Sequence, residues 1–577
     1  MSSTIAWKVG GEQGEGIDST GDILATVVNR LGYYVYGYKH FSSRIRGGHT
    51  NYKIRISSEP VLATSDDLHI LVALDQQTIN INGDELVEGG LVIADRAFEP
   101  ELPAELSRAV LLPVPLTEIA KEIGNTVVKN IVSLGASAYF MGIPLETFSE
   151  VIKEKFGKKS GKVGQMNIDA LERGYAYAKE NYPEYTDFTL VGGDGKARYL
   201  MIGNDAISLG ALAAGCRVMM GYPITPASEI MYWLMDKFTQ FGGVVVQTED
   251  ELAAITGALG ASFAGARAMT ATSGPGLSLM MEAIGLASTT EIPIVVVDTQ
   301  RAGPSTGMPT KQEQSDLFSM VYGSHGESPR IVLAPSTAEE AFYDTMLAFN
   351  LADQYQMPVF IAADLALALF MQTVESLDFK RIPIDRGLMI SQEELDQLGK
   401  DQFKRYALTE SGVSPRSIPG QRYGQYLATG SEHNEFGKVS ESPINRKKMM
   451  EKRFKKLQNL DLPGVNYRGP ENPDLLLVGV GSTIGAIRSV QGQLMDEGKT
   501  VGHAHLRVLN PFPVKEMSEY ISSSKQILVI DNNYTGQLTK LLELNVKTDR
   551  PIYTLTKYNG VPFLPGEIRA KALEVLG

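Results

Sequence analysis

The chain has one cysteine, Cys216, in 577 residues. A single thiol cannot close an intramolecular disulfide. Nor can it hold an iron–sulfur cluster, which normally takes about four thiolates. Any such redox centre that this protein works with must therefore sit on another chain. Long apolar runs are also missing: none approaches the ~20 residues of a membrane helix. MSSTIAWKVGG shows no basic start followed by an apolar core, so no signal peptide is expected. A cytoplasmic protein is the simplest expectation. Positive charge is in deficit, with 54 Lys and Arg against 67 Asp and Glu and a net charge of −13. That leaves a nucleic-acid partner without electrostatic support, and the acidic excess reads as solubility.

What is present is ordinary globular material, 43% hydrophobic and 21% charged. The length suits roughly three or four domains of about 150 residues each. Three blocks alternate short β-rich runs with helical patterns, as parallel sheets covered by helices do. The expected fold class is α/β, with several doubly wound domains. Residues 1–187 carry the strand candidates IAWKVGG, YYVYGY, YKIRIS, LHILVAL, GGLVIAD and AVLLPVP. Helical patterns there lie in DSTGDILATVVNRLG and near 117–142 and 166–181. Residues 188–197, rich in glycine, are the linker candidate. Residues 198–374 repeat the alternation through GVVVQ, read as a buried strand, then ARAMTAT, IPIVVVD, RIVLAP and MPVFIAAD. Residues 375–470 break the pattern. There the loop-like SGVSPRSIPG and ATGSEHNEFGK precede the basic helical run INRKKMMEKRFKKLQ. This stretch reads as an extended connector without a core of its own. The alternation resumes over 471–577 as a small α/β domain. No internal repeat of 20–50 residues is visible.

Four segments of the 198–374 block place chemistry at strand ends. Tyr222-Pro223-Ile224-Thr225-Pro226 lies between a strand and the helical pattern SEIMYWLMDKF. Thr225 is placed to be the N-cap and Pro226 the first helical residue. Free N–H groups, a positive dipole end and a hydroxyl suit a small carboxylate there, although a plain capped helix would look the same. Glu249, Asp250 and Glu251 head an alanine-rich helix. Acids in a first turn are ordinary dipole complements, but a carboxylate at the mouth of a close-packed helix can be desolvated. Its pKa then rises, which suits proton exchange with a heterocycle. Thr272-Ser273-Gly274-Pro275-Gly276 offers small residues that a flat ligand can approach. Arg301 follows IPIVVVDTQ, at the carboxyl end of a strand where open sheets bind ligands, and could fork onto a carboxylate. Thr310 with Glu313 reads as a capping box for the next helix. Each signal alone is weak, but one doubly wound sheet would gather all four in one crevice.

The order YPITP, a carboxylate heading E-L-A-A, TSGPG and QRAGPSTGMPT resembles the pyrimidine-binding domain of 2-oxoacid:ferredoxin oxidoreductases. VGGEQGEG with RIRGGHTNY resembles the γ domain of that family, here ahead of the α portion. ESGVSPRSIPG and GSEHNEFG resemble the α-subunit connector, and the last block resembles a transketolase C-terminal domain. The resemblance implies a thiamine-diphosphate enzyme whose glutamate hydrogen-bonds the aminopyrimidine N1′ and promotes loss of the thiazolium proton. Glu251 matches that glutamate better than Glu249 does. Thr225 matches the threonine that holds the substrate carboxylate, and Arg301 matches a carboxylate-binding arginine. Tyr222, Pro223, Ile224, Thr272, Ser273 and Gly274 are implied cofactor contacts.

The diphosphate-binding half, with its GDG and a later asparagine for magnesium, is not recognisable. Gly193-Asp194-Gly195 lies in the linker and Asn204 follows too soon, so that match reads as a turn. Mg2+, most of the diphosphate contact and a four-iron four-sulfur cluster are therefore implied for a β subunit. Ferredoxin is the implied electron acceptor, and a dimer of αβ heterodimers the implied assembly. Coenzyme A, the implied acyl acceptor, could use the Gly10–Gly16 loop at Gly14. Arg44, Arg46 and His49 could neutralise it or reach a second substrate carboxylate; a turn at a subunit interface is the plainer reading. Glu432-His433-Glu435 has ligand types but nothing to complete a metal site. The basic run from Arg446 to Lys456 is expected to be solvated or subunit-facing. The fused layout and the GPSTGMPT loop resemble 2-oxoglutarate enzymes, with pyruvate or a branched-chain 2-oxoacid as the alternative. A non-catalytic scaffold subunit is the alternative of another class.

Overall fold

The computed structural model describes residues 3–41, 47–156, 161–458 and 460–577. The chain forms two compact units. One comprises Met1–Met201, Phe370–Ser376 and Leu564–Glu567; the other comprises Ile202–Leu369, Leu377–Phe563 and Ile568–Gly577.

The first unit is built on an eight-stranded sheet in the order Val110–Val114, Leu86–Asp95, Leu68–Ala73, Thr4–Glu12, His49–Ser57, Tyr34–His40, Met371–Val374, Tyr199–Met201. The first four strands are parallel. The remaining pairings are antiparallel, so the expectation of a parallel sheet holds for only half of it. The reason is chain length. Residues 41–48 are too few for the crossover of about a dozen residues that parallel neighbours need. The last two strands come from Tyr199–Met201 and Met371–Val374, so this sheet recruits chain from well beyond residue 187. Trp7 is fully buried in the core and its indole N–H donates to Ser137 Oγ at 3.0 Å. Helices Lys129–Met141 and Gly161–Asn181 pack face to face through glycines. A Cβ on Gly174 would lie 2.0 Å from the Val132 carbonyl oxygen, so only glycine permits that approach. Helix Leu145–Phe156 lies outside the helical patterns read from the sequence.

In the second unit the larger sheet runs Val508–Asn510, Ile331–Leu333, Pro358–Asp364, Ile294–Gln300, Ala268–Thr272, Val218–Gly221, Val244–Gln247. All pairings are parallel except that of Val508–Asn510. Ile294–Gln300 and Pro358–Asp364 are buried throughout, as central strands covered on both faces are. Val244–Gln247 is different. It is the edge strand and its residues are exposed or half-buried, so GVVVQ is not the buried strand its apolar run suggested. An apolar strand reads alike at a centre and at an edge; only its neighbours decide. A five-stranded sheet completes the unit, in the order Val465–Arg468, Val501–Leu506, Leu475–Val480, Gln526–Asp531, Ile552–Thr556.

Residues 377–458 are not a bare connector. They bury a small apolar cluster of Ile390, Leu395 and Phe403, with Tyr426 against it. The helix Pro443–Gln458 is solvated as expected at Arg446, Lys447, Lys448 and Lys455, which are exposed, but not along its other side. Lys452 and Lys456 are buried, each with its Nζ 2.6 Å from Glu291 Oε2, and Arg453 pairs with Glu432 at 2.7 Å. Among the described residues no helix is long and apolar enough to cross a membrane.

Candidate active site

The chain runs from Val218–Gly221 outward to the edge strand and then returns to the other side, at Ala268–Thr272. This is a topological switch point, where the carboxyl ends of neighbouring strands leave a crevice. The loop after Gly221, the head of the helix after Val244–Gln247 and the loop after Thr272 all open there.

Thr225 does not cap the following helix. That helix is Ser228–Lys237, with Ala227 at the N-cap position and no side-chain cap. Residues 224–227 form a turn of their own, in which Ala227 N–H donates to the Ile224 carbonyl at 2.8 Å, and the Thr225–Pro226 bond is cis. The Thr225 carbonyl instead accepts from Arg301 Nη1 at 2.6 Å. That bond ties the first loop to the fourth. Tyr222 is exposed, while Pro223, Ile224 and Thr225 are half-buried.

The three acids at 249–251 divide their work. Asp250 is the N-cap, its carboxylate accepting from Ala253 N–H at 2.8 Å. Glu249 is exposed. Glu251, the first residue of helix Glu251–Phe263, is turned inward and only 6% exposed. Its side chain lies against the backbone of Gly276. A Cβ built there would stand 2.6 Å from Glu251 Cγ, 2.7 Å from Oε1 and 2.1 Å from Thr272 Oγ1. The glycine of TSGPG thus lets Glu251 and Thr272 share one small space. Ser273 is buried and holds the N-cap position of helix Gly274–Thr290 without capping it.

Arg301 is buried beyond the end of Ile294–Gln300; burial pulls its pKa down, opposed by the Asp316 carboxylate. The expected capping box at Thr310 and Glu313 is not formed. Residues 301–316 contain no helix, and the next one is Leu317–Tyr322 with Asp316 at its N-cap position. The loop is held instead by tertiary bonds. Gln312 N–H donates to Gly560 O at 3.1 Å, and Gln314 N–H to Asn532 O at 2.7 Å. Such partners, far away in sequence, are invisible to local pattern. Burial raises Glu313 to about 7 and Asp316 to about 6.

Several buried polar atoms on these elements have no hydrogen-bond partner: Thr270 Oγ1, Ser273 Oγ, Glu229 Oε2 and Arg301 Nε, and, within the strand Ile294–Gln300, both carboxylate oxygens of Asp298. Buried polar groups are normally satisfied, so the first four, on elements that meet at the carboxyl end of this sheet, fit a site that takes a polar ligand. An inward carboxyl, small hydroxyls and a guanidinium suit a heterocycle with ring nitrogens and a small carboxylate. Asp298 was not singled out by sequence, although one acid inside the apolar run IPIVVVD was the available signal. Tyr222, Val244, Val246, Leu252 and Met308 are exposed.

The GDG asparagine candidate and aspartate are engaged elsewhere. Asp194 pairs with Arg198 at 2.8 Å, and the Asn204 amide donates to Pro226 O at 2.7 Å. Glu432 is taken by Arg446 and Arg453, and Glu435 by Lys404. In the first unit, Gly14 and Gly16 have positive φ, at 106° and 83°. The loop uses its own Glu15 to accept from Glu12 N–H at 3.0 Å and to pair with Lys129 at 2.6 Å. His49 Nε2 lies 3.2 Å from the Asn82 amide, and its Nδ1 is buried without a partner. Burial lowers its pKa. Arg44 and Arg46 lie outside the described residues.

Three family models match the chain. "Pyruvate ferredoxin/flavodoxin oxidoreductase" covers residues 6–177. "Pyruvate flavodoxin/ferredoxin oxidoreductase, thiamine diP-bdg" covers 209–452, and "Pyruvate:ferredoxin oxidoreductase core domain II" covers 473–568. The chain is 33% identical to a 2-oxoacid:ferredoxin oxidoreductase subunit alpha of a Sulfolobus species, over 99% of this chain and 97% of the relative. It is 31% identical to the 2-oxoglutarate oxidoreductase subunit KorA of Mycobacterium tuberculosis, over 98% and 90%. A solved 2-oxoglutarate:ferredoxin oxidoreductase from Magnetococcus marinus, with 2-oxoglutarate, coenzyme A and succinyl-CoA bound, matches with a TM-score of 0.94 and 35% identity over all of both chains. The fold, the thiamine-diphosphate-binding module and relatives aligned from end to end agree: this chain belongs to the 2-oxoacid:ferredoxin oxidoreductases, as an α subunit of that oxidoreductase family.

Proposed function

We propose that this chain, with a β subunit, catalyses the reversible conversion of 2-oxoglutarate, coenzyme A and oxidised ferredoxin to succinyl-CoA, CO2 and reduced ferredoxin. The observation that carries the reading is the enclosure of Glu251 against Gly276 and Thr272, with Arg301 bonded to the Thr225 loop across the same crevice. Thiamine diphosphate, when bound, supplies the electron sink for decarboxylation. Glu251 holds and moves a proton at its inward carboxyl, opposite a pyrimidine nitrogen. Tyr222, Pro223 and Ile224 on one side and Thr272, Ser273 and Gly274 on the other form the walls that orient that ring. The Thr225 hydroxyl and the Arg301 guanidinium bind the substrate carboxylate and set its keto carbon.

The partner would bring what this chain lacks: the diphosphate and Mg2+ site and a four-iron four-sulfur cluster. One cysteine, buried at position 216, supports that division. So does the apolar exposure along Val244–Gln247 and at Tyr222 and Leu252, because an unpaired apolar edge is ordinarily covered. Gly14 and His49, with Arg44 and Arg46, are proposed to meet coenzyme A. The assembly would be a cytoplasmic dimer of αβ heterodimers that passes electrons to ferredoxin.

2-Oxoglutarate is favoured because the full-length structural match binds it and a full-length relative is named for it. Pyruvate is the second reading, favoured by the descriptions of the three matching family models. The test is coenzyme A-dependent reduction of ferredoxin by the αβ complex with a panel of 2-oxoacids. The highest kcat/KM is expected for 2-oxoglutarate. Turnover of pyruvate with 2-oxoglutarate inert would overturn the substrate assignment.

A further inference from the structure

Behind Arg301 lies a pair of acids that the reaction outlined above does not use. Asp298 sits in the central strand Ile294–Gln300, in register with Thr272 on one side and Ala362 on the other. It is fully buried, and neither carboxylate oxygen has a hydrogen-bond partner. A carboxylate so placed has lost its hydration and gained no donor. Asp316 is fixed beside the same strand end. Its N–H donates to Gln300 Oε1 at 3.0 Å, and Gln300 Nε2 is itself anchored on the Ala363 carbonyl at 3.2 Å. The Asp316 carboxylate lies over Gly274, where a Cβ would come within 2.7 Å of its Oδ2. Asp316 thereby stands at the head of helix Gly274–Thr290, next to the strand that carries Asp298.

The charges that act here are few. Asp316 is the charge that acts on Asp298, Arg301 acts on Asp316, and half-buried Glu313 feels Asp316. Burial and Asp316 both push Asp298 well above the usual carboxylate range. Arg301 makes no ion-pair contact with Asp316; it reaches the Thr225 carbonyl instead. Two ionised acids beside one guanidinium would leave an excess negative charge and repel an incoming carboxylate. With one proton on the acids the three groups sum to zero, and the guanidinium keeps its charge, with a buried Nε that has no partner.

We infer that Asp298 and Asp316 hold one proton between them, and that the single negative charge this leaves makes Asp316 a positioning residue for Arg301. The second half rests on the reading that Arg301 takes the carboxylate of a 2-oxoacid. The first half does not.

Isotope-edited infrared spectroscopy of the αβ complex carrying 13C-labelled aspartate tests the pair directly. At neutral pH a protonated carboxyl stretch is expected, shifted by deuterium exchange and absent from Asp298→Asn. No such band in the unmodified complex, or a band that persists in Asp298→Asn, overturns the shared proton, and the measurement on the unmodified complex needs no variant to fold. Steady-state kinetics test the positioning. Asp298→Asn, neutral and still able to donate, should keep KM for 2-oxoglutarate within about threefold, whereas Asp316→Asn should raise it at least about tenfold with kcat changed far less. An unchanged KM in folded Asp316→Asn overturns the positioning role. Arg301→Gln separates the two readings: if it leaves KM unchanged while the infrared band remains, the substrate role of Arg301 fails and the acid pair stands.

Discussion

Glu251→Gln is the sharpest perturbation because the structure makes it nearly silent except in chemistry. Glutamine fills the same volume, so the contact with Gly276 and Thr272 is kept. The cap of the helix is also untouched, since Asp250 provides it. What disappears is an ionisable oxygen. Proton transfer by a positioned side chain contributes about 10²–10⁴-fold, or about 3–5 kcal/mol of transition-state stabilisation at 1.36 kcal/mol per decade. The variant αβ complex should therefore lose about 10²–10⁴-fold in kcat for ferredoxin reduction by 2-oxoacid and coenzyme A, with the thermal unfolding of the α subunit unchanged. Glu249→Gln is the internal control: exposed and two residues away, it should stay within about twofold. Activity of Glu251→Gln within a few-fold of the unmodified enzyme, or an equal loss in Glu249→Gln, would refute the assignment.

Gly276→Ala puts a methyl 2.1 Å from Thr272 Oγ1 and 2.6 Å from Glu251 Cγ. Overpacking of this kind costs about 1–3 kcal/mol, so both unfolding temperature and thiamine-diphosphate affinity should fall, as read by calorimetry. Thr225→Ala removes the side-chain hydroxyl but keeps the carbonyl that Arg301 grips. A lost hydrogen bond to a charged group, about 1.5–3 kcal/mol, should appear as a KM for 2-oxoacid raised about 10–150-fold. Glu291→Gln strands Lys452 and Lys456, which both reach this buried carboxylate at 2.6 Å, and should cost about 3–5 kcal/mol in denaturant unfolding at neutral pH. The neighbouring Lys452, Lys456 and Arg405 outweigh burial and hold the Glu291 carboxyl well below its ordinary value of 4.5. Its stabilisation is thus complete above about pH 4.5 and is lost as pH falls toward the folded value, so the gap between variant and unmodified protein should narrow only in acid.

Much of the fold is legible in the sequence because its strands and helices alternate with clear periods and punctuation. The placement of the candidate site is legible for a related reason: YPITP, the acid-headed helix, TSGPG and Arg301 all lie at strand ends, and a doubly wound sheet brings such ends together. What escaped was decided by partners distant in the chain. The run 446–458 looks solvated on every side until Glu291, more than a hundred residues earlier, is found beneath Lys452 and Lys456. GVVVQ looks central until its place at the sheet edge is known. Thr310 and Glu313 have the spacing of a capping box, yet backbone bonds to Asn532 and Gly560 hold their loop away from helix. Asp298 passed unnoticed because a single acid ending an apolar strand is common, and only the lack of any donor around it marks it out.

The central claim, that this chain supplies one half of a thiamine-diphosphate pocket which a cluster-bearing subunit completes, is tested most directly by titrating thiamine diphosphate and Mg2+ into the purified chain and into the αβ complex. Iron content and 2-oxoacid turnover are followed in the same samples. The chain alone should contain no iron and show no turnover, and stoichiometric cofactor binding should arise only in the complex. Iron in the isolated chain, or turnover of a 2-oxoacid by it, would contradict the account.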